Sequence, residues 1–585
     1  MNAPLYDVLI QGGEVFSGSD QPAVIADVAI SDGRVVRISE EPIPAHTSRE
    51  VYNAKGRWVV PGFIDFHTHY DAEVEVAPAL AESVRHGVTT IVMGSCSLSA
   101  ALGEPEDIAD IFCRVEAIPR QFMLPILQER KDWHTLTEYF EHFDRAPLGP
   151  NVAAFVGHSN VRMQAMGFHR SLDPDATPTP EEMQAMADLL KEGLDAGYLG
   201  LSIQTLAWDK LDGNRERSKP LPSYFAKWSE HHALTDLLRK RGRVFQGVPD
   251  IVNKVNVLRF LWESVGLWRR PLKTTVISIM DLIANRNIYW AVLLLPRIFN
   301  KLLGADFRFQ ALPNVFDVWA DGMDLVIFEE FQAGTEAMHL VDLGQRAELL
   351  REPGYRKRFR KEWSRMFSPR VYHRDFAHSQ VMACPEEKWV GRSFAEIAQE
   401  QQVHPVEAFL DLAAEHGPAL RWHSVIANDR TKPLEHIVAH PDSLIGFSDA
   451  GAHLRNMAFY NFPIRMLALC QAAKNRNEPI MSAHRAVYRL TGEIADWFGI
   501  DAGHIAPGKR ADIAILDPVK IHEENFTTTE SEFPGFPGFY RLVNRNPGAV
   551  PAVFINGKLA CEDGQAVPEL GKQTGFGQVL RAEDR

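Results

Sequence analysis

Cysteine is scarce in this chain. There are five among 585 residues, odd in number and scattered at Cys96, Cys113, Cys384, Cys470 and Cys561. That spacing excludes the disulfide framework of a small secreted domain and points to a reducing compartment, so a cytoplasmic location is expected. Long hydrophobic runs are also missing. The longest, "IYWAVLLLP" from Ile288 to Pro296, is too short to span a bilayer. The N-terminus, "MNAPLYDVLIQGGEVF", has no basic start ahead of an apolar core, so no signal peptide is read. Positive charge is in deficit: 62 basic against 76 acidic residues leave a net charge of −14, which argues against broad nucleic-acid binding. No period of roughly 20 to 50 residues stands out, which removes solenoids and propellers. What is present is the composition of a soluble globular protein, 45% hydrophobic and 24% charged, in a chain long enough for two or three structural units.

The two ends are alike. "YDVLIQGGEVFSG" and "ADVAISDGRVVRIS" near the start, and "ADIAILDP" and "AVFINGKLACEDG" near the end, read as short strands. Turns are marked by Gly12-Gly13, Asp32-Gly33, Asn556-Gly557 and Asp563-Gly564. Chain ends are often close in space, so residues 1–60 and 505–585 are expected to complete one small β-sandwich. Between them strand-like runs precede helix-like ones: "TTIVMGS", "NVAAFVGH", "GYLGLSIQ", "GRVFQGV", "LKTTVISIM" and "LIGFSDAGAH". That alternation predicts an α/β domain over 61–504 with a parallel sheet, which about eight units would close into a (β/α)8 barrel. Two stretches exceed a minimal barrel and read as elaborations over its mouth: 206–224, and 283–370 with the basic, aromatic-rich "PGYRKRFRKEWSRMF".

Chemistry enters at "WVVPGFIDFHTHYDAE", Trp58 to Glu73. Strand alternation turns His67 and His69 to the same side, and at the C-terminal end of a barrel strand both imidazoles aim into the mouth. Two readings stand: a half-built site for a borderline metal such as zinc, or two exposed histidines at a strand end. The buried run ahead of them and the neighbouring Asp65 and Asp71 favour the metal. Cys96 follows the next apolar run, as a thiolate ligand or as a small buried hydrophobe, and for a cysteine taken alone the second is preferred. Asp449, in "SLIGFSDAGAHL", reads as a metal ligand able to take a proton from water, or as a helix N-cap; taken alone, the cap is preferred.

Together, "PGFIDFHTHYD", "GVTTIVMGSCS", "GLS", "FSDAGAH" and "GHIAPGKRADIAILDP" resemble, in order, the signature segments of the amidohydrolase superfamily, and within it the D-aminoacylase (N-acyl-D-amino-acid deacylase) branch. The resemblance covers nearly the whole chain. It implies a distorted (β/α)8 barrel of TIM type with a β-sandwich built from both termini, and zinc-dependent hydrolysis of an amide. Carried over by residue, His67 and His69 match the first-strand metal pair. Cys96 matches the cysteine that ligates metal in this branch in place of a carboxylated lysine. Asp449 matches the last-strand aspartate, ligand and general base. His158, in "FVGHSNVR", and Arg162 are substrate-contact candidates: His158 either orients substrate or packs with Arg162 as a structural pair. His453, closing "FSDAGAH", is a substrate-contact candidate.

The sequence also departs from the branch, which supplies further histidines at the ends of the fifth and sixth strands. Here "RVFQGVPD" has Gln246, a candidate contact to substrate or metal through its oxygen. "TTVISIMD" has Ile279 or a neighbour, which cannot coordinate. A basic residue that would hold a substrate carboxylate after the sixth strand is not evident. One zinc ion is therefore expected rather than two. The implied substrate is a small molecule, an N-acyl amino acid. A cyclic amide, an ester or a carbamate is the rival, and a non-catalytic barrel scaffold is the alternative outside enzymology. "NIYWAVLLLPRIFNKLLGADFRF" reads as a core segment or as an apolar lid for an acyl group. A homo-oligomer is left open.

Overall fold

The computed structural model describes residues 5–250, 254–365, 370–522 and 525–583. Eight parallel strands form the barrel. In order they are Phe63–Asp65 continued by His67–Thr68, Val88–Met93, Asn151–Ala154 continued by Val156–Gly157, Gly200–Gln204, Val244–Val248, Lys273–Ile279, Asp306–Ala311, and Ser443–Ile445 continued by Phe447–Ala450. Each pairs in parallel with the next, and the eighth returns to the first through Phe447 beside His67. Runs such as "VTTIVM" and "VFQGV" are buried throughout, because helices cover a parallel sheet from outside while side chains fill it from within. Three strands break for one residue, at Phe66, Phe155 and Gly446. This is the distortion the resemblance implied. The ring still holds: Phe66 N–H donates to Gly446 O at 2.7 Å, and Phe155 N–H to Met93 O at 2.9 Å.

The seventh strand corrects the expected domain plan. Asp306–Ala311, "DFRFQA", falls inside the stretch read as an insertion over 283–370. The large elaboration instead occupies 312–442. It is built on a three-stranded antiparallel sheet of Phe316–Asp321, Ser379–Ala383 and Arg421–Ala427. The basic stretch forms the helix Pro353–Trp363 there, burying Tyr355, Phe359 and Trp363 at every fourth position; Met366 and Phe367 lie outside the described residues. The lid reading is corrected too. Ile288–Leu302 is a helix packed on the outside of the sixth and seventh strands, the place of an ordinary barrel helix. The shorter stretch, 206–224, is a run of turns after the fourth strand that ends in the 3-10 turn Pro222–Phe225.

Both termini join in one nine-stranded sheet, and Val8, Ile10 and Val28 share an apolar cluster with Ile513, Ile515 and Phe554. Three of its hairpins turn on Asp32-Gly33, Asn556-Gly557 and Asp563-Gly564, each pair left-handed at both positions, the turn type that matches strand twist. Not all of 505–585 stays in this sheet. The hairpin Thr527–Glu532/Tyr540–Arg545 packs on the barrel, where Leu542 N–H donates to Leu454 O at 2.9 Å. The tail returns to the third barrel strand, with Leu580 N–H donating to Val152 O at 2.8 Å. The strand Trp58–Pro61 belongs to the terminal sheet and runs straight into the first barrel strand.

The barrel seam needs a glycine at 446, because a Cβ there would sit 2.6 Å from the Phe66 ring and 2.8 Å from Ile64 O. Gly446→Ala is expected to destabilise the fold by about 1–3 kcal/mol, the usual cost of overpacking. The check is a urea titration; a midpoint equal to the parent's would show that the seam tolerates the methyl group.

Candidate metal centre

The first, second and eighth strands end together. His67 is fully buried and His69 nearly so. Cys96 Sγ lies 3.2 Å from His67 Nε2. Asp449 Oδ1 lies 3.6 Å from His67 Nε2 and 3.3 Å from His69 Nε2. The ligating atoms of His67, His69 and Cys96 all fall within 4.8 Å of one another. The backbone is shaped to deliver them. Cys96 at φ 54°, Ser97 at φ 67° and Asp449 at φ 59° occupy the left-handed region, a strained conformation that clusters at functional sites. Around Cys96 the turn is held by Cys96 N–H donating to Gln246 Oε1 at 3.2 Å and Ser97 N–H to Ser202 Oγ at 3.0 Å. Gly451 follows Asp449 because the chain passes His69 there: a Cβ would sit 2.6 Å from the His69 carbonyl. Asp449 caps no helix, since the next one starts at Phe462.

Two groups behind the imidazoles had no place in the sequence reading. His67 Nδ1 faces Gln310 Oε1 at 2.6 Å, and His69 Nδ1 faces Glu116 Oε1 at 3.0 Å. Each turns its ring so that Nε2 points at Asp449, the task that outer carboxylates and amides perform for metal-ligating histidines. Gln310 sits in the seventh strand, where the alternation of Phe307 and Phe309 with polar residues was a readable strand signal. Glu116 follows the helix Pro105–Phe112 in a loop, and nothing in "FCRVEAIP" marks it.

The cluster is electrostatically uneasy by itself. Burial holds His67 down at about 4, against the pull of Asp449. Burial also opposes charge on His69, but Glu116 and Asp449 outweigh it and raise that imidazole well above its ordinary value. Burial pushes Asp65 and Glu116 up to about 8 and Asp209, from the loop after the fourth strand, up to about 7. Asp449 resists the same burial because His69, His67 and His453 hold its carboxyl well below the usual range. The Cys96 thiol, pushed by burial up to about 12, keeps its proton unless a cation lies beside it. Two imidazoles, a sulfur and a carboxylate converging among further buried acids fit a divalent, borderline-soft cation.

The remaining candidates divide. Gln246 is buried beside Cys96; its oxygen is engaged, and its Nε2 has no hydrogen-bond partner. His453 Nε2 lies 3.9 Å from Asp449 Oδ2. Ile279, on the sixth strand, is buried. His158 and Arg162 belong elsewhere. Both are fully buried and share Glu230: His158 Nε2 is 3.1 Å from Glu230 Oε1, its Nδ1 is 3.0 Å from Ser223 Oγ, and the Arg162 guanidinium binds Glu230 Oε2. Held by Glu230 and apart from the metal cluster, the two have the surroundings of the structural pair rather than of substrate contacts.

The model of the amidohydrolase family matches residues 50–231. The chain is 44% identical over 582 residues to an uncharacterized protein of Mycobacterium tuberculosis, a match covering 99% of this chain and 95% of the other. It is 33% identical over 196 residues to the N-acyl-D-glutamate deacylase of Alcaligenes xylosoxydans, covering 34% of this chain and 36% of that enzyme. Among solved structures, the N-acyl-D-glutamate deacylase of Bordetella bronchiseptica, complexed with zinc and a phosphonate mimic of the tetrahedral intermediate, is similar at TM-score 0.65. That likeness has 22% identity and covers 99% of this chain and 100% of that one. D-aminoacylase is similar at TM-score 0.65 and 20% identity, over 98% and 100%. Both structural likenesses are of fold.

The Glu230 network sets a pH dependence. Burial raises the Glu230 carboxyl, but His158 and Arg162 overcome it and depress the value from 4.5 to about 2. A depressed carboxylate stabilises the fold above its unfolded value, and that contribution is lost as pH falls from about 4.5 through 2. Glu230→Gln is expected to lose about 3 kcal/mol at pH 7 and to flatten the acid limb of the stability curve. Urea midpoints from pH 7 down to pH 3 would read both; a variant as stable as the parent at pH 7 would contradict the assignment.

Proposed function

Because the chain belongs to the amidohydrolase family, we propose that it is a zinc-dependent hydrolase of a carbon–nitrogen bond other than a peptide bond, acting on an N-acyl amino acid. The observation that carries this reading is the meeting of His67, His69, Cys96 and Asp449 at one end of the barrel. These four residues would hold one zinc ion, which when bound supplies positive charge to polarise a carbonyl and to acidify water. A single ion is favoured because the fifth strand offers Gln246, whose oxygen already accepts from Cys96 N–H. The remaining amide NH2 is a donor and no ligand.

Asp449 is the residue that moves the proton. Its Oδ1 faces the two imidazoles, which leaves Oδ2, on the His453 side, to accept a proton from the attacking water and return it to the leaving nitrogen. Gln310 and Glu116 keep the imidazoles oriented. His453, 3.9 Å from Oδ2, would contact the substrate beside it. The substrate class is supported by the deacylases among the relatives. One observation favours the rival, a cyclic amide, ester or carbamate. Arg286, the first basic residue after the sixth strand, is engaged by Asp429 at 2.7 Å and Asp281 at 3.3 Å rather than offered to a substrate carboxylate.

Asp449→Asn is expected to keep the fold and part of the metal while turnover falls by about 100- to 10,000-fold. Circular dichroism, elemental analysis and initial rates measured together check this, and near-parental turnover would remove Asp449 from the chemistry. A panel of N-acyl amino acids of both hands, beside hydantoin-type rings, is expected to release free amine and acid. Ring opening without a second product, and no deacylation, would establish the rival.

A further inference from the structure

Two neighbouring helices on the outside of the barrel expose what barrel helices normally hide. These are α1 (Lys254–Ser264), after the fifth strand, and α2 (Ile288–Leu302), after the sixth; beyond their ends Gly266 N–H donates to Leu303 O at 3.2 Å. Of the 25 large hydrophobic side chains exposed among the described residues, 11 lie between Val255 and Leu302. On α2, Trp290, Leu294, Ile298 and Leu302 follow at steps of four along the outward face, while Tyr289, Leu293 and Pro296 face the barrel. The helix is thus apolar on both sides, a pattern that needs cover on both. Trp262 is 56% exposed, Trp290 53% and Trp268, in the connection after α1, 87%. Exposed apolar side chains gathered on neighbouring helices in this number mark an interaction site.

The charge around it selects the partner. Between Val255 and Leu302 there are seven basic and two acidic residues, in a chain whose net charge is −14. Both acids, Glu263 and Asp281, are buried against cations: Glu263 beside Arg239 at 3.5 Å, Asp281 beside Arg430 at 2.7 Å. Arg259, Arg270 and Lys301 are exposed. Outward tryptophan and leucine with basic residues beside them is the make-up of a surface that lies in the headgroup region of an anionic bilayer. A second copy of the chain fits less well, since a two-fold contact would set this basic patch against itself. Among the described residues no helix is long and apolar enough to cross a membrane, so such docking is peripheral.

We propose that the α1–α2 face docks the protein on anionic lipid surfaces, with Trp262, Trp268 and Trp290 entering the interface and Arg259, Arg270 and Lys301 meeting the headgroups. The proposal is independent of the reaction catalysed. It is tested by co-sedimentation of the full chain with vesicles of phosphatidylcholine alone and of phosphatidylcholine with one-third phosphatidylglycerol, alongside tryptophan emission. Expected are binding to the anionic vesicles only, a blue shift on binding, and loss of both in high salt. Trp268→Ser/Leu294→Ser and Arg259→Gln/Lys301→Gln, exposed positions away from the metal cluster, are each expected to weaken binding about tenfold or more at unchanged thermal stability and metal content. No association with anionic vesicles would overturn the proposal, as would equal association with neutral ones. So would a dimer in sedimentation velocity that Trp268→Ser/Leu294→Ser dissociates, because the face would then be covered by a second copy.

Discussion

The seam between the first and eighth barrel strands is the constraint from which the rest follows. Phe66 N–H donates to Gly446 O, and Ser448, 383 residues along the chain from Asp65, donates its hydroxyl to the Asp65 carboxylate. That lateral contact sets Asp449 against His67 and His69. Without it the two imidazoles would be a pair on one strand and the aspartate a residue in a turn. Closure of the sheet also encloses the acids that make the mouth electrostatically demanding. Asp65, Glu116, Asp209 and Asp449 gather there; His69 and His67 offset part of that charge, Lys210 acts on Asp209, and Ser448 bonds Asp65. A cavity with that balance favours a cation.

Sequence patterning reached the fold where local signals were strong and uninterrupted. Apolar runs ending in glycine or a polar residue marked seven of the eight barrel strands, and Asx-Gly pairs marked the terminal hairpins. The seventh strand was lost because its five-residue alternation, Phe307 to Ala311, sits directly behind a helix whose outward face is as apolar as its inward one. Without the usual amphipathic contrast, helix and strand merged into one greasy insertion. The anomaly that hid the strand is the same one that distinguishes the α1–α2 surface.

At the site, His67, His69, Cys96 and Asp449 were legible because each ends or follows a recognisable strand. What was not legible is the layer behind them. Glu116 comes from an irregular loop, and its value lies in proximity to His69, which no spacing encodes. His158 and Arg162 were ambiguous for a related reason. One turn of helix places them together, but whether they face a ligand or a carboxylate depends on Glu230, 68 residues from Arg162. The plainer reading of Asp449 taken alone also failed in an instructive way: it has the composition of an N-cap, but its backbone is left-handed and no helix follows before Phe462.

The strand Trp58–Pro61 is shared ground. It is hydrogen-bonded into the sheet made by the two chain ends, and its next residues are the approach to His67. The small β domain is therefore an abutment for the barrel mouth, and Ile513–Leu516, about 450 residues further along the chain, helps fix the approach to His67.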